Sequence, residues 1–294
     1  MANKQQQCIG VFGEVLLDEF PDGSRVLGGA PFNVAWHLQG FGLAPRLVSR
    51  IGADANGRTV TQAMERWGRD TGAVQVDAER PTGTVGVTIV DGEPRYDITT
   101  GAAWDAIADP GLATCDVLYH GSLALRSADT ARALAACKAA TRPGLIFFDV
   151  NLRSPWWSPE QVRGLLADAD WLKVNEEELA ILRSDSPGEE RKLLNRYDLQ
   201  GLIITRGARG AELHTASGAH YQALPELDAS VVDTVGAGDA FSAVMLTGLV
   251  ERWPLDDCLR RAQQLAAHVV SRRGAIAEEP DYYASLVREW RQVR

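Results

Sequence analysis

A chain of 294 residues is long enough for one large domain or two, and its ordinary apolar and charged content excludes a disordered, collagen-like or coiled-coil protein. Thirty-nine acidic against 30 basic residues give a net charge of −9, which argues against general nucleic-acid binding and leaves any anionic ligand to be held by local features. The lysines are Lys4, Lys138, Lys173 and Lys192, and none follows a glycine, so the Gly-Lys of a Walker A loop is missing and a P-loop enzyme is excluded.

Met1 to Gln7 is polar and has no secretory apolar core, and no apolar run reaches the roughly 18 residues that span a bilayer. A soluble cytoplasmic protein without a membrane partner is expected. Cys8, Cys115, Cys137 and Cys258 lack zinc or disulfide spacing and read as reduced thiols. The five histidines are scattered, with no metal-ligand pattern.

In chain order, Gly13-Glu14-Val15-Leu16-Leu17-Asp18 brings a carboxylate near the end of the first strand, where ligands collect in open α/β sheets. Gly28-Gly29-Ala30-Pro31-Phe32-Asn33-Val34-Ala35 follows. Its glycines read either as a turn or as a place where backbone approaches a ligand, and Asn33 as a helix cap or as a donor and acceptor for a ligand. From Thr84 to Val90, Val85, Val87 and Ile89 alternate with small polar residues, and Asp91-Gly92 supplies a two-residue turn before Arg95 to Ile98. This is an antiparallel ribbon, joined by Val15 to Phe20, able to cover a site beside a main sheet. Trp104 and Trp156-Trp157 read as packing rather than base-stacking platforms.

Short apolar strands then recur at Val117–Tyr119, Leu145–Phe148, Trp171–Val174 and Leu202–Ile204, with helical stretches at Thr130–Ala140 and Pro159–Leu166 between them. Continuous apolar strands alternating with helices predict a parallel sheet covered on both faces. Several strands end in polar clusters: Asp149-Val150-Asn151-Leu152-Arg153, Asn175-Glu176-Glu177-Glu178 and Thr205-Arg206-Gly207-Ala208-Arg209-Gly210. Taken alone, these read as a surface arginine, a helix cap with an acidic first turn, and a plain turn.

The most informative segment is Asp233-Thr234-Val235-Gly236-Ala237-Gly238-Asp239-Ala240-Phe241, running into Val244, Met245 and Leu249 at helical spacing. A small-residue loop that opens an amphipathic helix presents free N–H groups to an anion, suiting a phosphoryl group. Asp239 sits in that mouth, where by itself it also reads as an N-terminal cap.

Asp-Thr-x-Gly-Ala-Gly-Asp-x-Phe at Asp233–Phe241 closely resembles the C-terminal signature of the ribokinase-like, phosphofructokinase B type carbohydrate kinases. Gly28–Ala35 is similar to the family's Gly-Gly-x-x-x-Asn-x-Ala. The two motifs lie about 200 residues apart and frame essentially the whole chain. The resemblance implies that Asp239 is the general base toward the acceptor hydroxyl, with the N–H groups of Gly236, Ala237, Gly238 and Asp239 stabilising the transferring phosphoryl group. It implies that Asp18, Gly29 and Asn33 bind the sugar, that Arg153 meets phosphate or a substrate oxygen, and that Thr205, Gly207 and Gly210 lie along the nucleotide. Asn175 and Glu178 would organise hydrated magnesium. Asp233 would brace the loop and, as in some members, help hold a monovalent cation such as K+, although Glu278 stands where a small hydroxyl residue is often found.

The expected fold is therefore a three-layer α/β domain (1–12, 25–81 and 101–294) with a small antiparallel β lid (13–24 and 82–100). ATP and Mg2+ are the expected cofactors, and a homodimer through the lid is an expected assembly. Asp149–Arg153 resembles the Asp-x-Asn-x-Arg of fructokinase-like and 2-keto-3-deoxygluconate kinase-like members, and together with Gly28–Asn33 and Ala102–Asp105 it looks more like fructokinases than ribokinases or nucleoside kinases; fructokinase is the expected activity, with 2-keto-3-deoxygluconate, ribose or nucleoside kinase as the alternatives and a non-catalytic sugar-binding regulator the rival outside enzymes. Few cations lie near the expected sugar site, Arg95 and Arg153 being the candidates, which suits a neutral hexose.

Overall fold

The computed structural model describes residues 7–90, 93–182, 189–225 and 231–292. The first half runs β1 (Ile9–Phe12), β2 (Leu16–Glu19), β3 (Arg25–Gly28), α1 (Ala30–Gly40), β4 (Arg46–Gly52), α2 (Ala55–Arg66), β5 (Val74–Asp77), β6 (Gly83–Val90), β7 (Glu93–Ile98), β8 (Val117–His120) and α3 (Ala128–Thr141). The second half runs β9 (Leu145–Asp149), α4 (Pro159–Leu166), β10 (Trp171–Asn175), α5 (Glu176–Leu182), α6 (Glu189–Arg196), β11 (Gly201–Thr205), β12 (Ala211–Thr215), β13 (His220–Ala223), α7 (Ala237–Glu251), α8 (Leu255–Val270) and α9 (Pro280–Gln292).

Nine strands form the large sheet in the order β13-β12-β11-β10-β9-β8-β1-β4-β5. From β5 to β11 every pairing is parallel, as continuous apolar strands require. β12 and β13 extend the edge antiparallel. On β11, Leu202 and Ile204 join the core formed with α4 and α6, while Ile203 joins the opposite core with α7 and α8. Successive side chains thus feed two layers, each buried side chain contributing about 1.5–3 kcal/mol. α7 is buried on nearly every side from Ala240 to Gly248, so it is a central core helix rather than the amphipathic one its spacing predicts.

The second sheet has the order β3-β2-β6-β7. β6 and β7 form the expected antiparallel pair, but β2 runs parallel to β6, so the small sheet is mixed rather than purely antiparallel. It also takes in Arg25–Gly28, which sequence reading leaves with the large domain. The turn at Asp91-Gly92 lies outside the described residues, as does the side chain of Arg95. Trp104 packs in the core under Arg126, whose guanidinium lies 4.0 Å from its ring and 4.6 Å from Trp156. Among the described residues, no helix is long and apolar enough to cross a membrane.

Candidate active site

Chain order reverses direction beside β1: the chain passes to β4 on one side and returns to β8 on the other. Such a switch point opens a crevice at the carboxyl ends of the strands. A cavity of about 370 Å3 lies there, under the small sheet. Its floor includes Glu14, Asn33, Lys173 and Asp239; Leu16, Asp18, Val85, Tyr96 and Ile98 reach it from the small sheet, and Arg153 from the segment after β9.

The mouth of α7 forms one wall. Gly236 caps the helix with φ 80°, a left-handed conformation, and a Cβ there would collide with Ala275, so glycine is required twice over. Gly238 has no such strain; a Cβ there would stand 3.4 Å from Lys173 Nζ. The first helical bond runs from Ala240 N–H to Gly236 O (2.9 Å), and Ala237 N–H donates to Thr234 O (3.4 Å), so the amides of Gly238 and Asp239 precede the helical ladder. Asp233 braces the approach: Oδ1 accepts from Val235 N–H at 3.0 Å and Oδ2 from Gly274 N–H at 3.3 Å.

Asp239, in the first turn of α7, accepts a 2.8 Å hydrogen bond on Oδ2 from Asn33 Nδ2. Burial raises its pKa; the Asn33 bond opposes the rise, Asp149 adds to it, and Lys173 and Arg153 draw it down. A carboxylate so placed is a stronger base than an exposed aspartate.

α1 supplies Asn33 and begins immediately after Gly29. With φ 103°, Gly29 comes so close to the first loop that a Cβ would lie 2.7 Å from Glu14 O. Pro31 in the first turn suits the helix start, where its missing N–H breaks no bond. α1 also holds the segment beside the α7 loop: Trp36 Nε1 donates to Ala277 O (2.8 Å), and His37 Nε2 lies 3.1 Å from Ala275 O. Asp18, on β2, has its carboxyl pushed up to about 6 by burial, with Asp233 adding and Arg153 opposing.

Sequence reading passes over two floor residues. Lys173 is buried in β10, and its Nζ contacts both oxygens of Asp149 on β9 at 2.9 Å. Asp149 accepts further bonds from Ser242 Oγ (2.7 Å) and Tyr119 OH (3.3 Å). A lone lysine inside Trp171–Val174 carries the signal, since a charge in a buried strand needs a counter-charge on its neighbour. The count of cations near the site must therefore include Lys173, though Asp149 neutralises it. Glu14 is the second such residue, quoted in Gly13–Asp18 but given no role there.

The candidates for nucleotide and magnesium lie along the same sheet edge, outside the cavity lining. Asn175 and Thr205 are register partners at the ends of β10 and β11. Asn175 Oδ1 accepts from Glu178 N–H and Glu178 Oε2 from Asn175 N–H, both at 2.8 Å, a reciprocal cap on α5. Glu178 Oε1 accepts from Leu152 N–H (2.8 Å), tying the Asp149–Arg153 turn to this helix. Each Glu178 oxygen keeps a second lone pair, which fits a magnesium ion held through its waters rather than directly. Gly207 and Gly210 have φ 55° and 87° in the turn after Thr205, where Arg206 bridges Glu176 and Glu212. Although scattered in sequence, His214 and His220 pair across β12 and β13, and with Glu212 bring ligand atoms within 4.8 Å of one another.

Residues 4–281 match the family described as pfkB family carbohydrate kinase. The chain belongs to this family and is a carbohydrate kinase with the ribokinase-like α/β fold. It is 33% identical over 278 residues to a fructokinase of Klebsiella pneumoniae, covering 88% of this chain and 89% of that protein. Among solved structures, the Salmonella enterica aminoimidazole riboside kinase in complex with aminoimidazole riboside and an ATP analogue superposes with a TM-score of 0.81 at 27% identity, over 96% of this chain and 100% of that one. A Vibrio cholerae fructokinase with fructose, ADP and calcium gives 0.82 at 24% identity, over 96% and 99%, and shares the fold.

Proposed function

We propose that this carbohydrate kinase transfers the γ-phosphoryl group of ATP to a primary hydroxyl of a free sugar, with fructose the preferred acceptor. The observation that carries the reading is the 2.8 Å bond from Asn33 to Asp239, which joins two motifs 206 residues apart on the floor of one cavity. Asn33 fixes one oxygen of Asp239 and leaves the other to take the hydroxyl proton. The hydroxyl oxygen bonds to the γ-phosphorus as the bond to the bridging oxygen of ADP breaks in line. The amides at Gly236, Ala237, Gly238 and Asp239 face the charge on the transferring group. Asp18 and Gly29 hold the sugar, Arg153 meets a phosphate or sugar oxygen, and Thr205, Gly207 and Gly210 run along the nucleotide.

Magnesium, held through water by Asn175 and Glu178, would supply charge neutralisation at the phosphates. Asp233 and the strand of chain around Gly274 are the candidate monovalent-cation loop. The small sheet, reaching the cavity through Leu16, Val85 and Ile98, excludes water, the competing acceptor. The reading places the enzyme in the cytoplasm, with two copies meeting through that sheet, where Phe20, Val26 and Tyr96 are exposed.

A riboside acceptor is the second reading, favoured by the apolar side that Val85, Tyr96, Ile98 and Leu123 give the cavity and by the likeness to the aminoimidazole riboside kinase. A panel of fructose, ribose, 2-keto-3-deoxygluconate, aminoimidazole riboside and adenosine, read by coupled ADP formation, separates these. Fructose should give the highest kcat/KM. A tenfold preference for another acceptor, about 1.4 kcal/mol of transition-state binding, overturns the choice of sugar. Sugar binding without ADP formation would make the protein a non-catalytic regulator.

A further inference from the structure

Two buried acceptor atoms at the cavity have no donor among the described residues. Glu14 is 2% exposed and Asn33 3%. Among the described residues, Glu14 Oε2 and Asn33 Oδ1 have no hydrogen-bond partner, while Asn33 Nδ2 donates to Asp239. The backbone N–H groups of Glu14 itself and of Ala30, at the start of α1, draw the pKa of the Glu14 carboxyl down against its burial. Glu14 and Asn33 line the cavity together with Asp239. A buried acceptor without a donor is unfavourable, and three converging acceptors suit a ligand rich in hydroxyl hydrogens.

We propose that Glu14 is a substrate-binding carboxyl that, with Asn33 Oδ1, accepts hydrogen bonds from neighbouring hydroxyls of the sugar whose reacting hydroxyl meets Asp239. The proposal rests on the sugar-kinase reading and adds a specificity determinant to it. A substrate lacking the contacted hydroxyl leaves Glu14 buried and unpaired, which is the situation in which polar sites discriminate most strongly. Acceptors with adjacent hydroxyls are thereby selected over deoxy sugars, and Glu14 does this without touching the nucleotide.

The test compares the wild-type enzyme with Glu14→Gln on the sugar that the acceptor panel selects and on its single-deoxy analogues. Glutamine keeps the size of the side chain and a carbonyl oxygen in place of the carboxylate. The acceptor KM should rise roughly tenfold or more, the range for a hydrogen bond to a charged group, while the ATP KM stays within about twofold. Wild type should discriminate at least tenfold against one deoxy analogue, and Glu14→Gln should lose most of that discrimination. An unchanged acceptor KM, or equal loss toward sugar and ATP, overturns the proposal and leaves Glu14 a structural anchor for α1. If the variant does not fold, the wild-type deoxy series still decides: equal kcat/KM for every analogue overturns it. Failure of the wild type to bind or phosphorylate any sugar would instead overturn the kinase reading beneath it.

Discussion

Glu14 sets binding against stability. Burial pushes its carboxyl from the ordinary 4.5 up to about 7; its own N–H and that of Ala30 oppose the rise, as does Arg153, while Asp239 adds to it. Tyr119 also feels its charge from β8. Between pH 4.5 and 7 the folded protein holds a proton that the unfolded chain releases, so this carboxyl costs stability as pH rises through that window, reaching about 3 kcal/mol by pH 8. Glu14→Gln should therefore raise the stability of the ligand-free protein by up to about 3 kcal/mol at pH 8 and by little at pH 5, as measured by urea unfolding. Equal effects at the two pH values would contradict this assignment. Asp18, pushed up to about 6, works in the same sense over a lower range. The sequence names Asp18 through its motif, whereas Glu14 becomes visible only when α1 folds back over it.

At the scale of elements, β8, β9, β10 and α7 meet in one buried network. Lys173 and Asp149 are register partners on adjacent parallel strands, 8% and 2% exposed at their side chains, and Ser242 and Tyr119 complete the shell of Asp149. Removing one member of a buried pair strands the other charge. Lys173→Met should cost about 3–5 kcal/mol in urea unfolding, and adding Asp149→Asn should recover more than half of it. Additive losses, or a loss below about 1 kcal/mol for Lys173→Met, would show that the pair does not brace the cavity floor. The strands themselves were legible: those starting at Val117, Leu145 and Trp171 begin where the apolar runs begin, and α4 has the expected span of Pro159–Leu166. α7 was misread for a physical reason. Ala243, Leu246 and Thr247 fill the faces that a surface helix would give to polar residues, and α1 and α8 cover them.

Across the whole molecule, sequence reading located the two ends of the cavity but not what joins them. The loop before α7 and the Gly-Gly turn are local motifs, whereas the Asn33 to Asp239 bond depends on α1 and α7 packing together, a long-range event with no local signature. The small sheet illustrates the same limit. Its ribbon is clear from the alternation at Thr84–Val90, but the parallel pairing of β2 with β6 joins segments separated by β3, α1, β4, α2 and β5 and has no local signature. His214 and His220 likewise look unrelated until the β12–β13 hairpin sets them opposite one another.

The central claim, that Asp239 takes the acceptor proton at the mouth of α7, is tested most directly by single-turnover phosphorylation of fructose by the wild-type enzyme and by Asp239→Asn, with ATP binding measured on both. Asparagine keeps the size of the side chain and a carbonyl oxygen for the Asn33 bond. The variant should therefore bind ATP with wild-type affinity and form fructose phosphate at least roughly 10²-fold more slowly, the range for loss of a general base. Phosphorylation at a near wild-type rate by Asp239→Asn would contradict the account.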